Sequence, residues 1–325
     1  MGSNLPKLHM QTTIQTGSQT FPSLPFPINY NHVSSSSTLL NKSKISHLCV
    51  RCSLSSSIPP NSKEAAILQA KTCLSTTLEK PLNNPKLTSR LRKLKQPRFR
   101  VEIPVIDDSP ESLSQLAFEV FRDIPIRRKG SSVNILIIWP NPTFLEAALE
   151  AFESNPSNPV EHVDISSLSD GDTRILNSAD VAVFLAPEDS QLAVVKEAAD
   201  SLFPRPVVIF NPRWAFEDEN EFKELSGFVG SFDVIYSFMG LEVKGLLSNR
   251  KGVIFKCVRD GVVSGEKWNV LVEEEGELKV VSTFKARPSI GEVENVLYNL
   301  MAMNSPVTKS VKFLKDLVSN VTGKK

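Results

Sequence analysis

Three apolar runs between Ser132 and Trp214 each end in a turn that contains proline. The runs are 133–139, 179–185 and 207–210. Short apolar runs that are rich in β-branched residues and bounded by turn residues are typical of buried strands, and the segments between them repeat their apolar positions at helical spacing. Alternation of strand and helix predicts a parallel sheet with crossover helices.

The same patterns predict further elements on both sides of this region. Helices are expected over 63–80, from Ser109, over 142–153, 190–202 and about 290–303, and strands over 99–105, 162–165, 233–238, 252–258, 267–272 and 278–284. Pro81 is expected to end the first helix, and Phe144, Leu145, Ala148, Leu149 and Phe152 to be buried by the third. The predicted fold is α/β: a Rossmann-like open sheet, parallel at the centre with an antiparallel hairpin edge, plus flanking helices.

The strand over 99–105 alternates apolar and polar residues. Val101, Ile103 and Val105 are expected to face the core, which leaves Arg100 and Glu102 on a face in contact with water.

The first 63 residues contain no Asp or Glu and are rich in Ser, Thr, Pro and Asn. This composition is typical of an organelle transit peptide, and Val50-Arg-Cys-Ser53 resembles a chloroplast cleavage junction. We therefore predict a transit peptide over 1–52 and a helix with a basic linker over 53–97. One α/β domain is expected over 98–304, followed by an amphipathic tail over 305–325.

The cysteines and the net charge exclude few classes of function. Cys49 and Cys52 form a CxxC pair that suits zinc or redox chemistry, but no second ligand pair accompanies it and it falls in the predicted transit peptide. Cys73 and Cys257 are of unknown proximity, so the sequence supports no disulfide between them. Residues 64–325 hold 32 basic and 36 acidic residues, about −4 in net charge, which gives no global field for binding nucleic acid.

Candidate ligand-binding residues come from the three proline-marked turns, because open α/β sheets bind ligands beyond the carboxyl ends of their strands. Helix capping is an alternative role for Asn141, Glu188 and Asp189. For Arg213, binding of a phosphate or carboxylate competes with a salt bridge to the acids of 217–224. The candidate residues are Asn141, Thr143, Glu188, Asp189, Asn211, Arg213 and Trp214.

Familiar catalytic and nucleotide-binding motifs are missing from the sequence. It contains no GxGxxG after a strand, no GxxxxGK[ST], no GxSxG and no HExxH. Beyond the predicted transit peptide His162 is the only histidine, and a lone strand histidine is more often structural. We therefore assign no catalytic residue, no metal ligand and no cofactor.

Two basic segments suggest contact with anionic lipid. The stretch 86–100 has seven Lys or Arg residues and no acid, and the tail places Val307, Val311 and Leu314 on one helical stripe with lysines off it. Packing of either segment on the domain is the alternative. No apolar run approaches the ~18–20 residues of a membrane-spanning helix.

Four segments resemble a plant and cyanobacterial domain family of unknown function, over most of residues 62–304. They are 98–104, 180–187, 208–214 and the late hairpin that carries Trp268. That family includes the chloroplast assembly factor called low photosystem II accumulation and the C-terminal extension of a chloroplast adenylate kinase. The resemblance implies a chloroplast location, in the stroma or peripheral to the thylakoid membrane, and partners among thylakoid complexes or their assembly intermediates.

Two functions of different classes follow. One is a non-enzymatic chloroplast auxiliary protein that assists assembly of photosystem II or another thylakoid complex. The other is a binder, or an enzyme, that takes a phosphate-bearing metabolite or nucleotide in the strand-end crevice.

Overall fold

The structure, a computed structural model, describes residues 11–13, 58–83, 95–105, 107–153, 160–168, 174–244 and 249–304. The predicted transit peptide apart from 11–13, the basic residues of 86–94 and the tail over 305–325 lie outside the described residues.

Nine strands of the described part form the main sheet. They are β1 Arg98–Glu102, β2 Ile135–Trp139, β3 Val160–Asp164, β4 Val181–Leu185, β5 Val207–Phe210, β6 Asp233–Lys244, β7 Asn249–Cys257, β8 Trp268–Glu274 and β9 Glu277–Phe284. The helices are α1 Lys63–Asn83, α2 Pro110–Phe121, α3 Pro142–Phe152, α4 Arg174–Ser178, α5 Leu192–Ser201, α6 Ser226–Val229 and α7 Ile290–Asn304.

The strand order across the sheet is β9-β8-β7-β6-β1-β5-β4-β2-β3. The pairs from β6 to β3 are parallel, and β6, β7, β8 and β9 pair antiparallel. Residues Gln11–Thr13 pair with β6, and a two-residue hairpin joins Arg127–Arg128 to Ser131–Ser132. The predicted α/β fold with a parallel centre and an antiparallel edge is confirmed.

Helices cover both faces of the sheet. The buried faces of α1, α2 and α3 share one apolar cluster with alternate residues of the strands, and those of α4, α5 and α6 share a second cluster with the residues between. A third cluster lies between α7 and the antiparallel strands. The central strands β2, β4 and β5 are buried along their whole length, as strands covered on both faces must be.

Helix starts follow the local signals in the sequence. The side chains of Ser109 and Asn141 accept hydrogen bonds from the first turns of α2 and α3, each with proline as the next residue. Ser62 similarly accepts a hydrogen bond from the backbone of Ala65 at 3.1 Å.

Two predictions about helices are wrong. Helix α1 continues past Pro81 to Asn83, whose side chain donates to the Arg127 carbonyl at 2.8 Å and accepts from the Lys129 amide at 2.7 Å. These tertiary hydrogen bonds hold the last turn although Pro81 has no N–H to donate to the Thr77 carbonyl. Leu149 is 50% exposed, because α3 packs on the sheet mainly through Phe144 and Ala148.

The expected wet face of β1 is also wrong. Arg100 and Glu102 are buried, because β1 lies in the middle of the sheet and both of its faces are covered. Their charges are satisfied inside the protein, at the site described next.

Candidate functional site

The topology creates two places where the chain departs in opposite directions from neighbouring strands. Strand β1 leads to α2 on one face while its neighbour β5 leads to α6 on the other, and β2 and β4 diverge to α3 and α5 in the same way. Such switch points open a crevice at the carboxyl ends of the strands, where α/β proteins bind ligands.

An amide side chain bridges the crevice between β1 and β5. Asn211 follows β5 with a φ of 48°, in the left-handed region that asparagine tolerates better than most residues. Its Oδ1 accepts from the Ile103 amide at 2.7 Å and its Nδ2 donates to the Ile103 carbonyl at 2.8 Å. Asn211 therefore continues the pairing of the two strands beyond the sheet.

A second amide bridges the crevice between β2 and β4. Gln191 lies just before α5, and its Nε2 donates to the Pro140 carbonyl at 2.7 Å while its Oε1 accepts from the Glu188 amide at 3.0 Å. Both switch points are thus closed by hydrogen bonds within the chain.

A chain of four charges, two buried and two largely buried, lies beneath the first crevice. Arg100 pairs with Glu219 and, through Nε at 2.7 Å, with Glu102, and Glu102 pairs with Arg287 at 2.9 Å. Their side chains are only 5–12% exposed. Because the signs alternate, the net charge of this charge chain is zero.

Neighbouring groups complete the charge chain. Ser237 donates to the second oxygen of Glu102 at 2.6 Å, and Trp214 Nε1 donates to Glu219 at 3.2 Å. The Arg287 guanidinium lies over Phe216, 4.4 Å from the ring centroid. It also lies 5.3 Å from the ring centroid of Trp268, so the charge chain joins the apolar cluster under α5 and α6, through Trp214, to the one under α7.

The charge chain shifts the pKa values of Glu102 and Arg100 so that both stay charged. Burial by itself raises the pKa of Glu102, but Arg287, Arg100 and the Ser237 hydroxyl outweigh it and lower the pKa to about 2. Burial by itself lowers the pKa of Arg100, but Glu102 and Glu219 outweigh it and raise the pKa above its ordinary value. At neutral pH Glu102 and Arg100 are therefore charged, and neither is poised to exchange a proton.

Arg213 points to the neighbouring turn. Its guanidinium pairs with Glu188 at 3.1 Å and lies 5.5 Å from the Phe144 ring centroid. The alternative of a salt bridge to the acids of 217–224 is wrong. Glu219 pairs with Arg100 and accepts from Trp214, and the Arg213 backbone amide donates to the Pro187 carbonyl at 3.0 Å in the turn after β4. Both partners are partly exposed, so the pair is available to solvent.

The space left at this site is about 70 Å³. Ligand pockets for nucleotides and drug-sized molecules usually hold ~300–1,000 Å³, so this cavity suits a few water molecules or one small ion. Its lining includes Arg100, Glu102, Asp108, Asn211, Arg213 and Arg287.

Only some of the candidate residues from the sequence lie at the cavity. Asn141 is the N-cap of α3, Thr143 is exposed in its first turn, and Asp189 is exposed with its carboxylate on the Ser190 amide at 2.7 Å. Trp214 is buried in the apolar cluster under α5 and α6. Among the candidates, Asn211, Arg213 and Trp214 line the cavity, and Glu188 joins them through Arg213.

Sequence reasoning missed Arg100, Glu102, Glu219, Ser237 and Arg287. Their types are ordinary for surface positions, and Glu219 and Arg287 are far from β1 along the chain. A signal was present only in β1, where two charged residues alternate within a strand flanked by apolar ones, and it was interpreted as solvent exposure.

His162 has a structural environment. Its Nδ1 accepts a hydrogen bond from Trp139 Nε1 at 3.1 Å, and its ring contacts Phe152 edge-on. Burial lowers the pKa of His162 to about 4.

The described residues contain neither a metal-binding cluster nor a membrane-spanning helix. No group of three or more His, Cys, Asp or Glu side chains there is arranged to hold a metal ion. None of the helices in that part of the chain has the length and apolar character needed to cross a membrane.

Comparisons with known proteins add a family match. The family model described as "Domain of unknown function (DUF1995)" matches residues 60–295. No curated protein matches the sequence. Among solved structures, the flagellar accessory protein FlaH from Methanocaldococcus jannaschii is similar over 57% of this chain and 90% of its own, at 8% identity and a TM-score of 0.26. At that TM-score the similarity supports no argument about fold or function.

Proposed function

The chain belongs to the family described as domain of unknown function (DUF1995), and we propose that it is a non-enzymatic chloroplast protein that assists the assembly of photosystem II or another thylakoid complex. The resemblance to chloroplast assembly proteins suggests this role. In this role its outer surface binds an assembly intermediate, and the sheet serves as a rigid support.

The closure of both strand-end crevices is the observation that carries this proposal. Asn211 makes two hydrogen bonds across one switch point, Gln191 makes one across the other, and the remaining cavity at the first is about 70 Å³. A ligand of nucleotide size would have to break these hydrogen bonds, each worth about 1 kcal/mol, and displace the Arg213–Glu188 pair. Binding through the outer surface requires neither change.

The chloroplast location rests on the N-terminal composition and on the resemblance to chloroplast proteins. The acid-free first 63 residues and the junction at Cys52 favour import into plastids and cleavage there. N-terminal sequencing of the protein from leaves tests this part. A mature protein that keeps residues 1–40 contradicts it.

A second candidate function is the binding of a small phosphate-bearing or other oxyanionic ligand beside Arg213. The specific observation in its favour is that Arg100, Arg213 and Arg287 line the same cavity. Arg100 and Arg287 are neutralised by Glu102 and Glu219 in the interior, whereas the pair between Arg213 and Glu188 is partly exposed and an anion can displace Glu188 from it. Inorganic phosphate is the appropriate first probe, because the cavity is too small for a nucleoside.

The main experiment is recovery of partners from solubilised thylakoids and from stroma with the purified full chain as bait. We expect photosystem II subunits, or subunits of another thylakoid complex, to be enriched over a tag-only control. If neither preparation yields a thylakoid subunit above this control, the proposed role is wrong.

The variant Arg213→Ala separates the two candidate functions. Its pair with Glu188 is partly exposed, so its loss costs stability at most about 1 kcal/mol and the fold is kept. The assembly role predicts unchanged partner recovery and no effect of phosphate on the melting temperature. A phosphate-induced rise in melting temperature that Arg213→Ala abolishes assigns the crevice to anion binding instead.

A further inference from the structure

Two cysteines that are far apart in sequence meet in the fold. Cys73 lies on the buried face of α1 and Cys257 is the last residue of β7, and their Sγ atoms are 3.2 Å apart. Both are free thiols. The sequence left their proximity open because 184 residues separate them.

The two thiols have different access to solvent. Cys73 is only 2% exposed, whereas Cys257 is partly exposed. The hydrogen bond with Cys257 and burial raise the pKa of Cys73, and the same hydrogen bond lowers the pKa of Cys257 despite its burial. Because the thiolate is the nucleophile in thiol chemistry, Cys257 is the sulfur that reacts first.

Contacts between α1 and the loop after β7 keep the two sulfurs close together. Thr76 Oγ1 donates to the Arg259 carbonyl at 3.0 Å, one helical turn from Cys73. Gly261 approaches so closely that an added Cβ would lie 2.5 Å from the Thr76 carbonyl oxygen. A disulfide needs an S–S distance of about 2.05 Å, so the two sulfurs must approach by roughly 1.2 Å, a shift that small side-chain rotations supply.

We propose that Cys73 and Cys257 are an oxidisable dithiol that forms an intramolecular disulfide between α1 and β7. The oxidant is a disulfide of low molecular weight or on a partner protein, with oxidised glutathione as the representative. Nothing else in the described part of the chain completes a metal site around the two thiols, since no group of three potential ligands occurs there.

The reaction proceeds by two exchanges. The Cys257 thiolate attacks one sulfur of oxidised glutathione, which forms a mixed disulfide and releases one glutathione thiolate. Cys73 gives its proton to that thiolate and attacks Cys257 Sγ, which forms the protein disulfide and releases the second glutathione as a thiolate that takes a proton from solvent. Two protein thiols are oxidised and one glutathione disulfide is reduced to two thiols.

The bond fastens α1 to the antiparallel half of the sheet. It closes a loop that contains most of the domain, so it removes conformational freedom from the unfolded chain. Oxidation is therefore expected to raise the melting temperature, and reduction by dithiothreitol to restore it.

The test uses the full chain with Cys49→Ser and Cys52→Ser, so that Cys73 and Cys257 are its two remaining cysteines. The native protein is incubated with oxidised glutathione, remaining thiols are alkylated, and unreduced peptides are mapped by mass spectrometry. We expect loss of both alkylatable thiols, a peptide pair linked through Cys73 and Cys257, and a reversible rise in melting temperature.

Two single variants in this background test the order of attack. Cys73→Ser is expected to accumulate the mixed disulfide at Cys257, and Cys257→Ser to leave Cys73 free. If Cys73→Ser does not fold, the Cys257→Ser variant and the parent suffice. The proposal is overturned if both thiols of the native parent stay alkylatable, if a mixed disulfide persists at Cys257, or if the linked peptide appears only after denaturation.

Discussion

The substitution Glu102→Gln tests whether the buried charge chain holds the crevice and the domain together. The variant keeps the size of the side chain and removes one negative charge from between Arg100 and Arg287. The charge chain then carries a net charge of +1 at a position that is 8% exposed. Breaking a buried ion pair by removing one partner costs about 3–5 kcal/mol.

The pKa of Glu102 gives a second measure of the same effect. The pKa is lowered from 4.5 to about 2, a difference that corresponds to about 3 kcal/mol at neutral pH. Because the pKa is lowered in the folded state, this stabilisation is present above pH 4.5 and is lost as the pH falls toward 2. By linkage most of this stabilisation remains at pH 4 and less than half of it at pH 3.

The assay is urea unfolding followed by tryptophan fluorescence, since Trp214 and Trp268 both contact the charge chain. We expect Glu102→Gln to lose about 3 kcal/mol at pH 7, or about 6–12 °C in melting temperature for a domain of this size. The difference from the wild type should shrink on acidification. Glu146→Gln, at an exposed position of α3, is the matched control and should change stability by less than about 0.5 kcal/mol.

A double-mutant cycle with Arg287→Met shows whether the pair itself is responsible. Removing both charges leaves Arg100 paired with Glu219, so the double variant should be more stable than the sum of the single effects by at least about 1 kcal/mol. If Glu102→Gln loses less than about 1 kcal/mol at pH 7, or if its deficit does not depend on pH, the account of the charge chain is wrong.

Three further predictions concern other parts of the molecule. Burial lowers the pKa of His162 to about 4, so the free energy of unfolding of the wild type should fall as the pH drops from 6.5 to 4. His162→Asn keeps an acceptor for Trp139 and should flatten that pH dependence in urea titrations. An unchanged slope contradicts the prediction. Gly261→Ala should lower the free energy of unfolding by about 1–3 kcal/mol more than Gly276→Ala does. Both glycines have a positive φ, but only at Gly261 would a Cβ meet Thr76. Equal losses of stability would exclude the close contact as the cause. Fractionation of plastids should recover the full chain with thylakoids at low salt and release it at high salt, because each basic residue near the membrane contributes about 1 kcal/mol to binding. Truncation after Asn304 should weaken the association. A full chain that stays in the stroma at low salt refutes the prediction.

Local chemistry in the sequence determined the elements of the fold. The apolar runs that became β2, β4 and β5 are long enough to be strands and end at turn residues, so their burial follows from composition alone. Ser109 and Asn141 act within one helical turn, which is why both N-caps were predictable. Strand and helix alternation then restricted the fold to an α/β sheet.

Only the tertiary structure decided how polar residues are used. Arg100 and Glu102 follow the pattern of a half-exposed strand, and the groups that surround them inside the protein come more than a hundred residues later: Trp214, Glu219, Ser237 and Arg287. Asn211 and Gln191 have the types of ordinary turn residues, and they close the crevices because strand order places Ile103 and Pro140 beside them. The meeting of Cys73 with Cys257 likewise depends on where α1 packs, since a contact across 184 residues is set by the packing of whole elements and leaves no periodic signal in the sequence.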